Sequence, residues 1–425
     1  MTYSEALAYI HSICWRGSRP GLERITELCR LLGNPQDDLQ FIHVAGTNGK
    51  GSFCRMLSGI LSAAGYRVGL FTSPYVWRFN ERMMIDNKEI SNDDLARETE
   101  TVRSFADGMA DPPTEFELIT AIGFQYFKHQ NCDLVILECG MGGRLDSTNI
   151  IQNPLLSVIT GIDFDHTAYL GNTIEAIAKE KAGIIKQGRP CLWGGENEEA
   201  RRTLAEIAKS KNAPFVCVNR SHLIVKRMTL EGTAFDFNDF TNLFLPLLGT
   251  YQPRNAAAVL SAVSILQKEG LSIPEVAIRE GLAAAVWHAR FELLRKNDPV
   301  ILYDGGHNPQ GVRAAVEAIA AYFPKQKVNL LSGVMADKDC EKIVQTLAPV
   351  AAGVFTVTPE NPRALNAEDY AALFRNCGVP ATAFATVAEG LAAAVEKSRA
   401  ENRPLVCLGS LYLYAELRRT LEENF

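Results

Sequence analysis

The chain has 425 residues, 47% of them hydrophobic, with a formal net charge of −6 and a pI near 5.8. That length can bury two cores, and the acidic balance offers no bulk attraction to nucleic acid or to an anionic membrane surface, so neither is expected as a partner. Ten cysteines without a CxxC pair, and no apolar run near the roughly 18 residues a spanning helix needs, lead us to expect reduced thiols in a cytoplasmic protein.

In chain order, Phe41, Ile42 and Val44 read as a buried strand, and Met56, Leu57, Ile60, Leu61 and Ala64 recur at helical spacing. The turn between them is Gly46, Thr47, Asn48, Gly49, Lys50, Gly51 and Ser52. Its backbone N–H groups can approach a polyphosphate, the helix start adds its positive end, Lys50 neutralises phosphate oxygens, and Ser52 offers magnesium a hydroxyl. The pattern departs from the general phosphate loop at Val44, where a glycine should stand, and at Gly51, which separates the lysine from the hydroxyl residue. On this segment alone, an ordinary strand-to-helix turn stays open.

Residues 68–72, 134–137 and 155–160 read as further strands alternating with helices, which predicts a mostly parallel sheet. Glu138 then lies at the C-terminal end of a strand, where α/β sheets bind ligands; it can ligate magnesium or remain a solvated strand-end carboxylate. His166 follows another strand, as a ligand or as a packed or capping residue. Beyond it, Thr173 or Asn172 caps a helix on which Ile174, Ile177, Ala178 and Lys181 share one face. An inward lysine needs an anionic partner, must lose its charge, or snorkels out to water. Residues 221–237, with a Glu231-Gly232 turn, predict an antiparallel hairpin, and residues 255–268 and 274–286 predict helices. A second α/β series has strands at residues 300–303, 328–331, 354–357 and 405–408, with the boundary expected at Arg295 to Pro299, giving domains 1–295 and 296–425.

GTNGKGS, residues 46–52, resembles the variant loop of the Mur ligase superfamily and of its folylpolyglutamate and dihydrofolate synthase branch. Further segments resemble that branch in order: SPYVWRFNERMMI (73–85, its mobile loop), TEFELITA (114–121), LVILECGMGGRLDSTN (134–149), DHTAYLG (165–171), AKEKAGIIK (178–186) and GTYQPRNAAA (249–258). WHARFELL (287–294), YDGGHNPQG (303–311), GVMADKD (333–339) and GSLYLYAELR (409–418) complete the series. Two departures are His288-Ala289 for the commoner Pro-Gly of PGRFE, and Gly306 for the alanine of DGAHNP.

The resemblance implies an N-terminal α/β domain like the P-loop NTPases, with a mostly parallel sheet, plus a smaller C-terminal Rossmann-like domain. It implies a monomeric ATP-dependent ligase that adds L-glutamate to a folate, and to dihydropteroate if bifunctional, through an acyl phosphate. By the same resemblance Ser73, Glu138 and His166 hold Mg2+ with Ser52, and carbamylated Lys181 binds or orients the metal. Gln252 and Asn255 contact the nucleotide, Arg290 reaches its phosphates, Asp304 meets the ribose or the incoming amino acid, and His307 lies against the adenine. Lys50, Glu138, His166, Lys181 and Arg290 form the implied catalytic set. A cell-wall Mur ligase, a small-molecule kinase or NTP hydrolase, and a nucleotide-gated binding or scaffold protein are the alternatives; Lys50 comes too early to leave room for the UDP-binding domain of the first.

Overall fold

The computed structural model describes residues 1–17, 19–164 and 167–424. They fall into two compact units, one of residues 1–222 with 255–285, the other of residues 223–254 with 286–425.

The first unit is built on an eight-stranded sheet: β1 Phe41–Ala45, β2 Val68–Phe71, β3 Met83–Ile85, β4 Lys88–Glu89, β5 Leu134–Glu138, β6 Leu156–Ile159, β7 Cys191–Trp193 and β8 Phe215–Cys217. Their order is β4-β3-β2-β5-β1-β6-β7-β8. The strands from β2 to β8 in that order are parallel; β3 and β4 add an antiparallel edge, so the end of the segment expected as a mobile loop is strand. Every residue of β1, β2, β5 and β6 is buried, as strands covered on both faces must be, which explains their mostly apolar sequences. With β5 and β6 on either side of β1, the segments following these three strands emerge side by side at one edge of the sheet, the place where α/β sheets receive ligands.

Helix Lys50–Ala63 leaves β1 and packs on helix Glu275–Ala283, both in this unit. A Cβ on Gly281 would lie 2.4 Å from the Ile60 Cα, and one on Gly59 would lie 2.8 Å from the Gly281 carbonyl oxygen, so the two backbones touch where both side chains are missing. Gly281→Ala should therefore destabilise the unit by about 1–3 kcal/mol, through overpacking against backbone that cannot step aside. Chemical denaturation reads this directly, and a change under about 0.5 kcal/mol would contradict the close approach.

In the second unit β12 Glu292–Arg295, β13 Ile301–Asp304, β14 Val328–Ser332, β15 Ala351–Thr356, β16 Ala381–Ala383 and β17 Leu405–Leu408 run in the order β12-β13-β17-β14-β15-β16, preceded in the chain by a sheet of β9 Leu223–Thr229, β10 Gly232–Phe237 and β11 Phe240–Leu245. β9 and β10 are the expected hairpin; β11 was not anticipated. The division of the chain differs from the expected boundary at 295/296. β12 and β13 pair as antiparallel neighbours, which makes residues 296–300 a hairpin connection within the second unit, and Leu230 and Leu248 pack with its core around Leu302, Leu330 and Val406. The division at 254/255 falls inside helix Gln252–Lys268, near its start.

Candidate active site

β1 delivers the chain into the turn at Gly46, and the segment following β6 holds that turn. Thr160 Oγ1 donates to the Asn48 carbonyl at 2.8 Å, the Thr47 N–H to the Gly161 carbonyl at 2.7 Å, and the Thr47 hydroxyl bonds both the N–H and the carbonyl of Asp163 at 3.1 Å. Glycine is required twice. Gly46 has φ +152 and a Cβ there would sit 2.0 Å from Thr160 Oγ1; Gly49 has φ +86, caps helix Lys50–Ala63, and a Cβ would meet Asn255 Oδ1 at 2.9 Å. The expected residues Gly46 to Ser52 therefore form one tight strand-to-helix turn, with Asn255 against it and Ser52 buried in the first helical turn.

Two further expected residues, Glu138 and Lys181, converge on this turn and its Lys50. Lys50 Nζ donates to the Gly46 carbonyl at 3.1 Å and lies 3.9 Å from Glu138 Oε1. Glu138, at the end of β5 and 4% exposed, accepts the Ser73 N–H at 3.4 Å. Lys181, the last residue of a helix that Thr173 caps at its start, is buried, and its Nζ donates to the Gly46 carbonyl at 2.9 Å. The inward face read from the helical spacing is thus realised. His166 lies outside the described residues. Among those described, no three His, Cys, Asp or Glu side chains gather as a metal cage. The donors present, a buried carboxylate with nearby hydroxyl residues, suit Mg2+, which takes one or two carboxylates and fills its remaining positions with water and phosphate oxygens.

Beneath the turn lies a network that the sequence reading missed. Asp146 accepts the Met141 N–H at 2.8 Å, the Thr148 N–H at 3.1 Å and the Thr148 hydroxyl at 2.5 Å. That hydroxyl proton being committed, the 2.8 Å contact from His43 Nε2 to Thr148 Oγ1 makes the imidazole the donor, with Cys139 Sγ 3.2 Å away. The only sequence signal was a histidine inside an otherwise apolar strand. His43 is fully buried, and desolvation, helped by the Lys186 cation, pushes its pKa down from 6.5 to about 3. The unfolded chain then binds a proton that the folded chain refuses between those values, so this contribution to stability is present above pH 6.5 and is lost as pH falls toward 3. From pH 7 to 5 it should cost about 2 kcal/mol, a loss that His43→Gln removes; parallel urea titrations check this, and equal slopes would refute it.

In the second unit, Asp304 ends β13, and Arg290 and His307 belong to the same corner. Asp304 Oδ1 accepts the Gly306 N–H at 2.8 Å; Oδ2 accepts the Phe291 N–H at 2.9 Å and the Tyr251 hydroxyl at 3.1 Å. Burial raises its pKa, although Arg290 and the donors oppose that shift. His307 Nδ1 bonds the Gly305 carbonyl at 2.8 Å, and Gln252 is fully buried. Ala289, in place of the commoner glycine, has φ +55, and Phe291 has φ +48, left-handed conformations that cost about 1–2 kcal/mol each. The corner is held by Glu292, whose Oε2 accepts the Ala289 N–H and the Tyr414 hydroxyl, both at 2.8 Å. Its Oε1 meets His288 Nδ1 at 2.9 Å and Arg418 at 3.2 Å. Burial works against the Glu292 charge, but the bonds from His288, the Ala289 N–H and Tyr414 outweigh it and hold the carboxyl below its ordinary range.

Comparison with known proteins agrees with this architecture. The Mur ligase middle domain matches residues 44–263, and the Mur ligase glutamate ligase domain matches residues 289–411. Fold and turn together thus define an α/β protein of the Mur ligase class. The chain is 36% identical to folylpolyglutamate synthase of Lacticaseibacillus casei and 35% identical to dihydrofolate synthase/folylpolyglutamate synthase of Bacillus subtilis, over 99% of each chain. Its fold superposes on Mycobacterium tuberculosis folylpolyglutamate synthase complexed with ADP and AMPPCP with a TM-score of 0.88 at 31% identity, covering 99% of this chain and 98% of that one. The chain belongs to the folylpolyglutamate synthase/dihydrofolate synthase family of the Mur ligases.

Proposed function

We propose that the chain is an ATP-dependent amide ligase that joins L-glutamate to a folate, and to dihydropteroate, with release of ADP and phosphate. The observation that carries this reading is the convergence of Lys50, Glu138 and Lys181 on the turn from Gly46 to Gly49, in a chain similar to such synthases from end to end. A substrate carboxylate attacks the γ-phosphorus of ATP, ADP leaves, and the glutamate amine attacks the resulting acyl phosphate and expels phosphate. The turn's backbone N–H groups and Lys50 hold the transferring phosphoryl group, where preorganised charge has its largest effect. Arg290 adds a second cation to phosphate oxygens, Asp304 and His307 meet the nucleoside or the incoming amino acid, and Gln252 and Asn255 take nucleotide contacts.

Mg2+, when bound, neutralises phosphate oxygens; Ser52, Ser73, Glu138 and His166 would hold it. Lys181 as a carbamate would supply the anionic oxygen that an ammonium cannot, at a buried position beside the turn. Folded as a monomer, the protein would act in the cytoplasm on small-molecule substrates alone.

A mass-resolved assay with ATP, Mg2+ and glutamate, offering dihydropteroate and tetrahydrofolate separately, tests the reading. One added glutamate with matched ADP release is expected for each acceptor. ATP turnover that ignores acceptor and glutamate would instead identify a hydrolase or kinase.

A further inference from the structure

We propose that Glu292 is a positioning residue for Arg290: its carboxylate locks Ala289 into left-handed backbone and so fixes the direction in which the arginine leaves the corner. The proposal rests on the reading of Arg290 as a phosphate-binding cation. Three backbone bonds fix the corner. Glu292 Oε2 takes the Ala289 N–H, the Gly305 N–H donates to the Ala289 carbonyl at 2.8 Å, and Asp304 takes the Phe291 N–H. Arg290 itself folds back to donate from Nη1 to that same Ala289 carbonyl at 3.1 Å, and a Cβ on Gly305 would lie 2.7 Å from it, so the guanidinium is seated on the corner's backbone. The Ala289 N–H held by Glu292 and the Ala289 carbonyl under Arg290 flank the φ and ψ of Ala289, so a change in those angles would move the surface under Arg290 relative to the held N–H.

Ala289 makes the carboxylate necessary in this chain. A glycine adopts positive φ freely, whereas alanine returns to negative φ unless something holds it. Glu292 is equipped to hold it, because Tyr414, Arg418 and His288 fix its two oxygens from outside the corner, and Arg418 also donates to the Tyr414 oxygen at 2.7 Å. The substitution of His288-Ala289 for Pro-Gly thus brings both the strained residue and one of the groups that brace its clamp.

The test compares Glu292→Ala and Glu292→Gln in the native chain and in the Ala289→Gly background, by kcat and KM for ATP. With alanine at 289, Glu292→Ala should lower kcat/KM about 10–100-fold, the scale of a misplaced catalytic cation. Glu292→Gln, whose carbonyl can still accept the Ala289 N–H, should stay within about fivefold. With glycine at 289, both losses should shrink to about threefold or less, because the backbone no longer needs the clamp. Equal losses in the two backgrounds, for whichever variant folds, overturn the positioning role. Arg290→Ala separates the two ideas: wild-type ligation by that variant removes the reading of Arg290, while an inactive Arg290→Ala beside unrescued Glu292 variants removes the positioning claim alone.

Discussion

Lys50→Ala should lower ligation by about a thousandfold while leaving the circular dichroism of the protein unchanged. The magnitude follows from the loss of a preorganised cation at a transferring phosphoryl group, where removing one donor costs about 10²–10³-fold. The fold should survive because the turn does not depend on this side chain. Its shape comes from Gly46 and Gly49 and from the bonds that Thr160, Gly161 and Asp163 make to Thr47 and Asn48. The Lys50 ammonium caps the Gly46 carbonyl and approaches Glu138, and after its removal the carbonyl retains the Lys181 Nζ as a donor. A folded variant with turnover near wild type would remove the phosphate-loop assignment.

Lys181→Ala should lose most activity for a different reason. Lys181 lies on the inward face of helix Ile174–Lys181 with its nitrogen on the Gly46 carbonyl, so two roles predict different mutant series. A bracing ammonium would be replaced in part by Lys181→Arg, which keeps the charge and donors. A carbamate would not, because a guanidinium has no oxygen to offer a metal, whereas short carboxylic acids added to Lys181→Ala could restore part of the rate. Carbon-13 NMR with labelled bicarbonate looks for the adduct itself. Rescue by arginine with no labelled carbon would sink the carbamate and leave the ligase reading intact.

Local chemistry was legible wherever one short segment carries its own geometry. The turn from Gly46 to Ser52, the strand ends at Glu138 and Asp304, the helix whose inward face includes Lys181, and the β9–β10 hairpin all rest on spacings of a few residues. Strand β11, the edge strands β3 and β4 and the short β7 were missed, because two to six residues without a strong alternation carry little signal until a neighbouring strand pairs with them. The polar run at 295–299 misled for a related reason: a hairpin connection and a domain linker have the same composition, and only the pairing of β12 with β13 distinguishes them.

By itself the sequence determined the alternating α/β class, the glycine-rich strand-to-helix turn and the order of the family's motifs, since periodicity and motif spacing are local properties of the chain. Only the tertiary structure decided that Lys50 and Lys181 meet at the Gly46 carbonyl with Glu138 near Lys50 and Ser73 on Glu138, that His43, Thr148 and Asp146 form one buried relay, and that Glu292 holds Ala289 left-handed. The contacts at Gly46 reach across up to 135 residues of chain, and they exist because parallel strands separated in sequence place their ends side by side at one edge of a sheet.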